Sequence, residues 1–442
     1  MFKILEKSDE ILKYLKRLEE SFFVPYSADS VIKDILNRVK RDGDKALIEL
    51  TKEYDQVDIS GKTDLKLREE SKETDLAVSD LKVSKIIINA AYKEIDPSFL
   101  KSFKRLVKNV RSFHENQKEP KEWKRKFADG SFFGMRNIPL SSVGVYVPGG
   151  RAVYASSVMM NVIPAQIAGV KRIVMVSPPK INPHVLVAAN ELGVLEIYQV
   201  GGAQAVAALA YGTATIPKVD KIVGPGNIYV TLAKHKLSPI VGIDSLAGPS
   251  DVLIIADRKA NPRYIASDLL AQCEHDPNAQ AILITDSEEF AKSVNQEVKK
   301  QFDSLLRKEI VRKAIESKGC FLVVNNIEDS IDIANRISPE HLELFISKPD
   351  KFLTGIKNSG AVFVGEFSPV AIGDYGAGPN HVLPTYTTAR FSSPLGVYDF
   401  IKKQSVLKYS KRALAKIRDD VVMLAGVEGL DAHKKSVEIR LT

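Results

Sequence analysis

Residues Val143–Val200 read VGVYVPGGRAVYASSVMMNVIPAQIAGVKRIVMVSPPKINPHVLVAANELGVLEIYQV. Three short runs rich in β-branched residues stand in this stretch: Val143–Val147, Arg172–Val176 and Glu196–Val200. Each is parted from the next by a piece long enough to form a helix. Strands separated in this way need crossover helices, so the pattern predicts βαβ units and a parallel sheet. The same texture continues at Lys221–Val223, Val252–Ala256, Ala281–Thr285, Phe321–Val324 and Ala361–Val364. Two sheets fit these runs better than one, with the division expected near Val241–Ser250, although no internal repeat is legible.

The flanks read differently. Lys33–Leu50 spaces Ile35, Leu36, Val39, Ala46, Leu47 and Leu50 at the three-to-four period of one amphipathic helix. Gln56–Asp80 is polar and reads as an exposed strand or loop excursion. Residues 1–135 are therefore expected to be mostly helical and to pack partly on the second α/β domain. Residues 136–245 and 246–392 form two α/β domains, and 393–442 form a helical segment.

The 442 residues are 44% hydrophobic and 27% charged, the usage of a folded globular chain. Cys273 and Cys320 cannot make a disulfide framework, which points to a reducing compartment. The start, MFKILEKSDEILKYLKRLEE, has no apolar core of a secretory signal, and no run reaches the roughly 18 apolar residues of a membrane span. A cytoplasmic protein without membrane partners is the expectation. The net charge of +8 is concentrated in Lys101–Lys126, where ten basic residues face Glu115, Glu119 and Glu122. That stretch reads as a solvated helix face with lysine stems lying over apolar surface. A nucleic-acid patch using Phe113 and Trp123 is the bolder reading, and no nucleic-acid motif accompanies it.

Glycine and proline cluster at Pro148-Gly149-Gly150, Gly201-Gly202, Gly224-Pro225-Gly226 and Gly376-Ala377-Gly378-Pro379. These fall where strands end, the carboxyl-side edge at which open α/β sheets bind ligands. Glycine allows backbone N–H groups to approach a phosphate, yet none of the clusters is the G-x-G-x-x-G fingerprint. Any one alone is more often a tight turn than a phosphate cradle; their repetition at strand ends is what points to ligand binding.

The seven histidines divide by context. His114, His184 and His235 lie in lysine-rich or loop surroundings and read as surface residues. In LAQCEHDP, Gln272 and His275 are three apart on a helix end and share a face, a pair able to bind Zn²⁺ or to be merely structural. Cys273 between them reads as buried and inert. In SPEHLEL, Glu340 and His341 would supply two bases of different pKa. Adjacent residues on a regular strand point to opposite faces, so cooperation requires an irregular turn, for which Pro339 is suited. The Gly/Pro-rich FSPVAIGDYGAGPNHVLP, from Phe367 to Pro384, reads as a functional loop carrying Asp374 and His381. VEGLDAHK adds Glu428 and His433 near the C-terminus.

The ordered series VGVYVPGG, VGGAQAVAALAYGT, IVGPGNIYV, DSLAGPSDVLIIAD, LLAQCEHDP, ISPEHLEL, GDYGAGPNHVLPT and VEGLDAHKKSVEIR closely resembles histidinol dehydrogenases, from about Ser141 to the end. The resemblance implies two Rossmann-like parallel-sheet domains and the NAD-dependent, four-electron oxidation of L-histidinol to L-histidine. It implies a zinc ion in each subunit, held by Gln272, His275, Asp374 and His433, with His433 from the partner of a homodimer. Glu340 and His341 would be the catalytic acid/base pair. Ser250, His381 and Glu428 would touch substrate together with His341 and the metal ligands, and Tyr146, Gln204 and Asn227 would touch NAD. Cys273 stands where the family usually has a small residue such as alanine. Two other classes deserve comparison: a metal-dependent hydrolase in which Glu340 activates water, and a basic nucleic-acid-binding protein.

Overall fold

The computed structural model describes residues 1–20, 29–59, 81–149, 153–246 and 248–442. Its strands are β1 (Lys3–Leu5), β2 (Glu122–Lys126), β3 (Phe132–Pro139), β4 (Ser142–Tyr146), β5 (Arg172–Ser177), β6 (Glu196–Gln199) and β7 (Lys221–Val223). They continue with β8 (Gly242–Ile243), β9 (Asp251–Ala256), β10 (Gln280–Thr285), β11 (Cys320–Val323), β12 (His341–Phe345), β13 (Ala361–Val364) and β14 (Ile401–Lys408).

Two parallel sheets dominate. One runs β6-β5-β4-β7-β8 and the other β1-β11-β10-β9-β12-β13. With β1 set aside, both follow the same order. Three strands step outward in one direction, then the chain returns to the far side of the first strand and continues. Each sheet therefore has a switch point, between β4 and β7 in the first and between β9 and β12 in the second. This repetition of topology has no counterpart in a readable sequence repeat. The change of sheet between β8 and β9 falls inside the expected Val241–Ser250 interval.

Helices cover both faces of each sheet, which is why the strands are apolar nearly throughout: DVLIIA of β9 and QAILIT of β10 are buried at every position. Alternate residues of β9 divide between two cores, Val252, Ile254 and Ala256 on one side and Leu253 and Ile255 on the other. Helix starts carry the expected chemistry. Asn182, Asn227 and Asn261 each accept a backbone N–H from the first turn, and Pro97, Pro183 and Pro262 occupy the first helical position.

The flanks depart from the periodicity reading in four places. Lys33–Leu50 is two helices, Asp29–Asp42 and Asp44–Tyr54, because Gly43 at φ 54° turns the chain between them. β1 docks as the edge strand of the second sheet, with Phe2 stacked on Phe321 at 4.6 Å. The basic stretch is helical only to Glu115; its later part is β2, fully exposed. β2 belongs to a three-stranded antiparallel sheet with β3 and β14, so the segment after Ser392 enters a strand before its helices Lys411–Val427 and Asp431–Glu438. The reading of Gln56–Asp80 lies mostly outside the described residues. Among those described, no helix is long and apolar enough to cross a membrane.

Candidate active site

Most of the residues singled out from the sequence gather at two sheet edges, Glu428 and His433 standing apart on the C-terminal helices. At the carboxyl edge of the first sheet, Tyr146 ends β4 and its hydroxyl accepts the Gly202 N–H at 3.1 Å. Burial pushes that phenol up to about 12. Gln204 is buried in the first turn of the helix Gly202–Tyr211. Its side chain lies so close to Gly202 that a Cβ there would meet Oε1 at 2.5 Å. Asn227 is exposed and caps the helix Ile228–Leu237. Gly149 and Gly201 both press on Pro178, where a Cβ would come to 2.9 and 2.5 Å. The first three glycine clusters thus do lie at strand ends, as expected, with Gly150 outside the described residues. The fourth does not: Gly376–Pro379 follows the short helix Val370–Tyr375 and rests on the helix Pro97–Glu115, where Gly376 faces Leu106 and Gly378 faces Phe113.

The second group sits at the opposite kind of edge. Asp251 opens β9 and His341 opens β12, so the Glu340–His341 pair stands at the amino ends of these strands. The helix Pro262–Cys273 runs back from the far edge and delivers Gln272 and His275 to the same end. These candidates thus stand at amino ends, apart from the carboxyl ends where the glycine clusters were expected to mark ligands; strand direction, which a run of apolar residues does not reveal, decides it.

The local geometry explains how two neighbouring residues cooperate. Ser338 adopts a left-handed conformation at φ 55°, and Glu340 precedes the strand rather than belonging to it. Asp251 then clamps both. Its carboxylate accepts the Glu340 N–H at 2.8 Å, its own N–H donates to Glu340 Oε2 at 3.1 Å, and its carbonyl accepts from His341 Nδ1 at 2.9 Å. With Nδ1 carrying the proton, the Nε2 lone pair is left as the basic atom. Nε2 is buried, has no hydrogen-bond partner among the described residues, and stands 3.9 Å from Asp374 Oδ1. Glu340 Oε2 is 3.8 Å from His341 Nδ1, and the Ser250 side chain hydrogen-bonds the same carboxyl.

Electrostatics follows from this enclosure. Burial, reinforced by Asp251 and Asp374, pushes the Glu340 carboxyl well above the usual carboxylate range. Burial pulls the His341 imidazole down, with Asp374 and the Asp251 carbonyl opposing and His275 and His381 adding to it. His381 donates from Nδ1 to the Asp374 carbonyl at 2.8 Å and is likewise pulled down by burial. Ser250, His275, Glu340, His341, Asp374 and His381 therefore share one pocket.

Gln272 is buried, and its Nε2 lacks a partner among the described residues. No three His, Cys, Asp or Glu side chains converge to hold a metal among the described residues of one chain. Glu428 and His433 are exposed, on the C-terminal helices, and no hydrogen bond or ion pair among the described residues joins them to the pocket.

Several residues escaped the sequence reading. Asp251 is the clamp, and its signal was an acidic residue opening an otherwise apolar strand. Glu343, fully buried, accepts the Val370 N–H at 3.0 Å and hydrogen-bonds Asp268. It thereby ties β12 to the helices bearing Asp374 and Gln272. Burial of this carboxyl pair raises both members, Asp268 to about 6. His114, read as a surface residue, is buried: its Nδ1 donates to Val110 O at 2.8 Å and Asn380 donates to its Nε2 at 3.3 Å. His184 is half-buried against Phe99, and His235 is exposed as expected. Both cysteines are buried, their thiols pushed up to about 12 by desolvation.

Two doubly wound parallel sheets, with a desolvated imidazole–carboxylate pair where two strands of the second begin, are the frame of an α/β enzyme. Residues 23–441 match the family model described as histidinol dehydrogenase. The chain is 52% identical over 412 residues to the histidinol dehydrogenase of Caldanaerobacter subterraneus subsp. tengcongensis, covering 92% of this chain and 91% of the relative. It is 49% identical to that of Listeria monocytogenes, over 93% of this chain and 92% of the relative. Its fold matches the crystal structure of histidinol dehydrogenase from Elizabethkingia anophelis with a TM-score of 0.89 and 34% identity, covering 100% of this chain and 98% of the other. The chain belongs to the histidinol dehydrogenase family, and it is an oxidoreductase.

Proposed function

We propose that this enzyme oxidises L-histidinol to L-histidine in two steps, each passing a hydride to NAD⁺, with a zinc ion holding the substrate. The observation that carries this reading is the Glu340–His341–Asp251 arrangement, a basic imidazole nitrogen and a raised carboxyl held together in a buried pocket. NAD⁺ supplies the hydride acceptor, and a zinc ion would supply positive charge to orient the substrate's nitrogen groups.

The proton work falls to the side chains. His341 Nε2 takes the alcohol proton as the first hydride leaves, which yields an aldehyde-level intermediate. A second hydride can leave only from the hydrated aldehyde, so one water must be added and deprotonated. Glu340, whose carboxyl is raised by burial, takes that proton, and His341 again accepts the hydroxyl proton during the second oxidation. Per substrate, two hydrides and three protons leave and one water oxygen is gained.

The donor set fits zinc in kind. Gln272, His275 and Asp374 would hold the ion from one chain, Gln272 through its amide oxygen, an amide–imidazole–carboxylate set that suits a borderline cation. Three donors leave room for a fourth on a tetrahedral ion. His433 of a second subunit is that donor in this reading. Its exposure supports the assignment, as does the apolar surface around it. Met423 (70% exposed), Leu424 (62%), Val427 (79%) and Ile439 (64%) are costly for an isolated chain and suit a homodimer interface. Glu428 on the same arm would reach substrate across that interface, alongside Ser250 and His381. Tyr146, Gln204 and Asn227 would form the NAD side.

The hydrolase reading leaves the glycine-built edge of the first sheet without a ligand, and the nucleic-acid reading concerns residues far from the pocket in sequence. The decisive experiment is stoichiometric. Histidinol and NAD⁺ are incubated with enzyme before and after chelation, and NADH is counted per histidine formed. About two NADH per histidine, with activity lost on chelation, is expected from the two-hydride scheme; a ratio near one, or no histidine, would sink it.

A further inference from the structure

At the switch point of the first sheet, β7 ends in Gly224, whose φ of 108° suits glycine alone. A Cβ there would sit 2.1 Å from the Tyr146 carbonyl oxygen, so the turn after β7 lies directly against the end of β4. Neither main-chain polar group of Gly224 is left to chance. Its carbonyl accepts from Lys234 Nζ at 3.1 Å, and its N–H donates to Asp244 Oδ2 at 2.7 Å. Lys234 and Asp244 are themselves ion-paired, with side chains only 2% and 4% exposed.

A buried ion pair is an expensive way to fill space. Desolvating an ammonium and a carboxylate costs several kcal/mol each, and apolar residues of similar volume commonly stabilise a core as well or better. What the pair does that apolar side chains cannot is grip a donor and an acceptor on the same glycine. Downstream of that grip the turn is fixed again. Gly226 packs on Val230, and Asn227 Oδ1 accepts the N–H groups of Tyr229 and Val230 at 3.0 and 3.2 Å.

We propose that Lys234 and Asp244 are positioning residues for the dinucleotide. They touch no ligand and act by fixing the Gly224–Asn227 turn in the crevice between β4 and β7. The proposal rests on the reading that this edge binds NAD.

The test is a double variant, Lys234→Met with Asp244→Leu, which removes both charges while keeping volume, so that neither buried charge is left alone. NADH affinity is measured by fluorescence, KM is measured separately for NAD⁺ and histidinol, and thermal unfolding is followed. The expected result is a folded protein with NADH affinity and NAD⁺ KM worsened about tenfold or more, and histidinol KM within about twofold of the parent. Undiminished NADH binding in the folded double variant would overturn the clamp alone. Equal worsening of both KM values would also overturn it, by showing a general structural role. An unmodified enzyme that bound no NADH would overturn the dinucleotide reading and the clamp with it.

Discussion

Replacing Glu340 by Gln removes one ionisable proton while disturbing little else. The side chain is 7% exposed, and its Oε2 accepts the Asp251 N–H at 3.1 Å, a contact an amide oxygen also makes. The carboxyl is raised because enclosure and the charges of Asp251 and Asp374 oppose its ionisation, so a neutral amide relieves that opposition. Global stability is therefore expected to change by no more than about 1 kcal/mol, the worth of one altered hydrogen bond. The catalytic loss is larger. A positioned general base contributes roughly 10²–10⁴ in rate, or about 2.7–5.5 kcal/mol of barrier. Because only the hydrated aldehyde needs that base, the loss belongs to the second oxidation. NADH formation is followed with histidinol and, separately, with the aldehyde as substrate; the first step is isolated by trapping its product with semicarbazide. Aldehyde oxidation is expected to fall by about 10²-fold or more, and the trapped first step by less than about tenfold. In the parent enzyme aldehyde oxidation rises with pH as Glu340 ionises, a dependence the variant lacks. Equal losses in both steps, or a pH profile unchanged by the substitution, would refute the assignment.

Three further outcomes follow from the geometry. Gly224→Ala forces a side chain into a left-handed backbone and against the Tyr146 carbonyl, and is expected to lower the denaturant midpoint by the equivalent of about 1–3 kcal/mol and to weaken NADH binding. Burial lifts Asp251 from 3.8 to about 7 in the fold, so the native state holds its proton more tightly than the unfolded chain. The stability this gives is complete below about pH 4 and is lost as pH rises through 7, a change of at most about 4 kcal/mol. Thermal unfolding of Asp251→Asn across that interval should show a flatter slope; an unchanged slope would contradict the buried-carboxyl account. Mixing His275→Ala with His433→Ala chains, each inactive alone, should recover about a quarter of parental activity, since half the random dimers carry one intact site. No recovery after verified subunit exchange would place His433 outside a shared site.

The buried parallel strands were legible because both faces of each are apolar, which leaves dense β-branched runs such as DVLIIA. The antiparallel sheet was not: β2 reads EWKRK, every residue exposed, and nothing in it alternates between apolar and polar. β12 was hidden for a different reason. Its start coincides with the Pro339-Glu340 turn, and the polar Glu343 interrupts the run, so His341–Phe345 does not stand out among the β-branched strands. The candidate site residues were singled out through their motifs, while their arrangement depended on strand direction and pairing. Asp251 and His341 are 90 positions apart, and only the β9–β12 pairing makes one the clamp of the other. His114 was misread because its lysine-rich neighbours describe the exposed side of its helix, whereas the imidazole lies on the other side, against Asn380.

Because the candidate catalytic residues stand where β9 and β12 begin, the proposed chemistry leaves the rim where β9, β10 and β11 finish without a part in it. There the chain passes through Asp257–Ala260, Asp286–Ser287 and Val324–Asn326, polar connections of a few residues each. This separates two kinds of change during descent. Lengthening or recolouring those connections is expected to leave the Glu340–His341 pair in place, whereas the approaches into β9 and β12 carry the Ser250, Asp251 and Glu340 contacts that hold it. It also marks the place to graft an affinity peptide or a reporter domain onto this enzyme, on the quiet rim of the sheet.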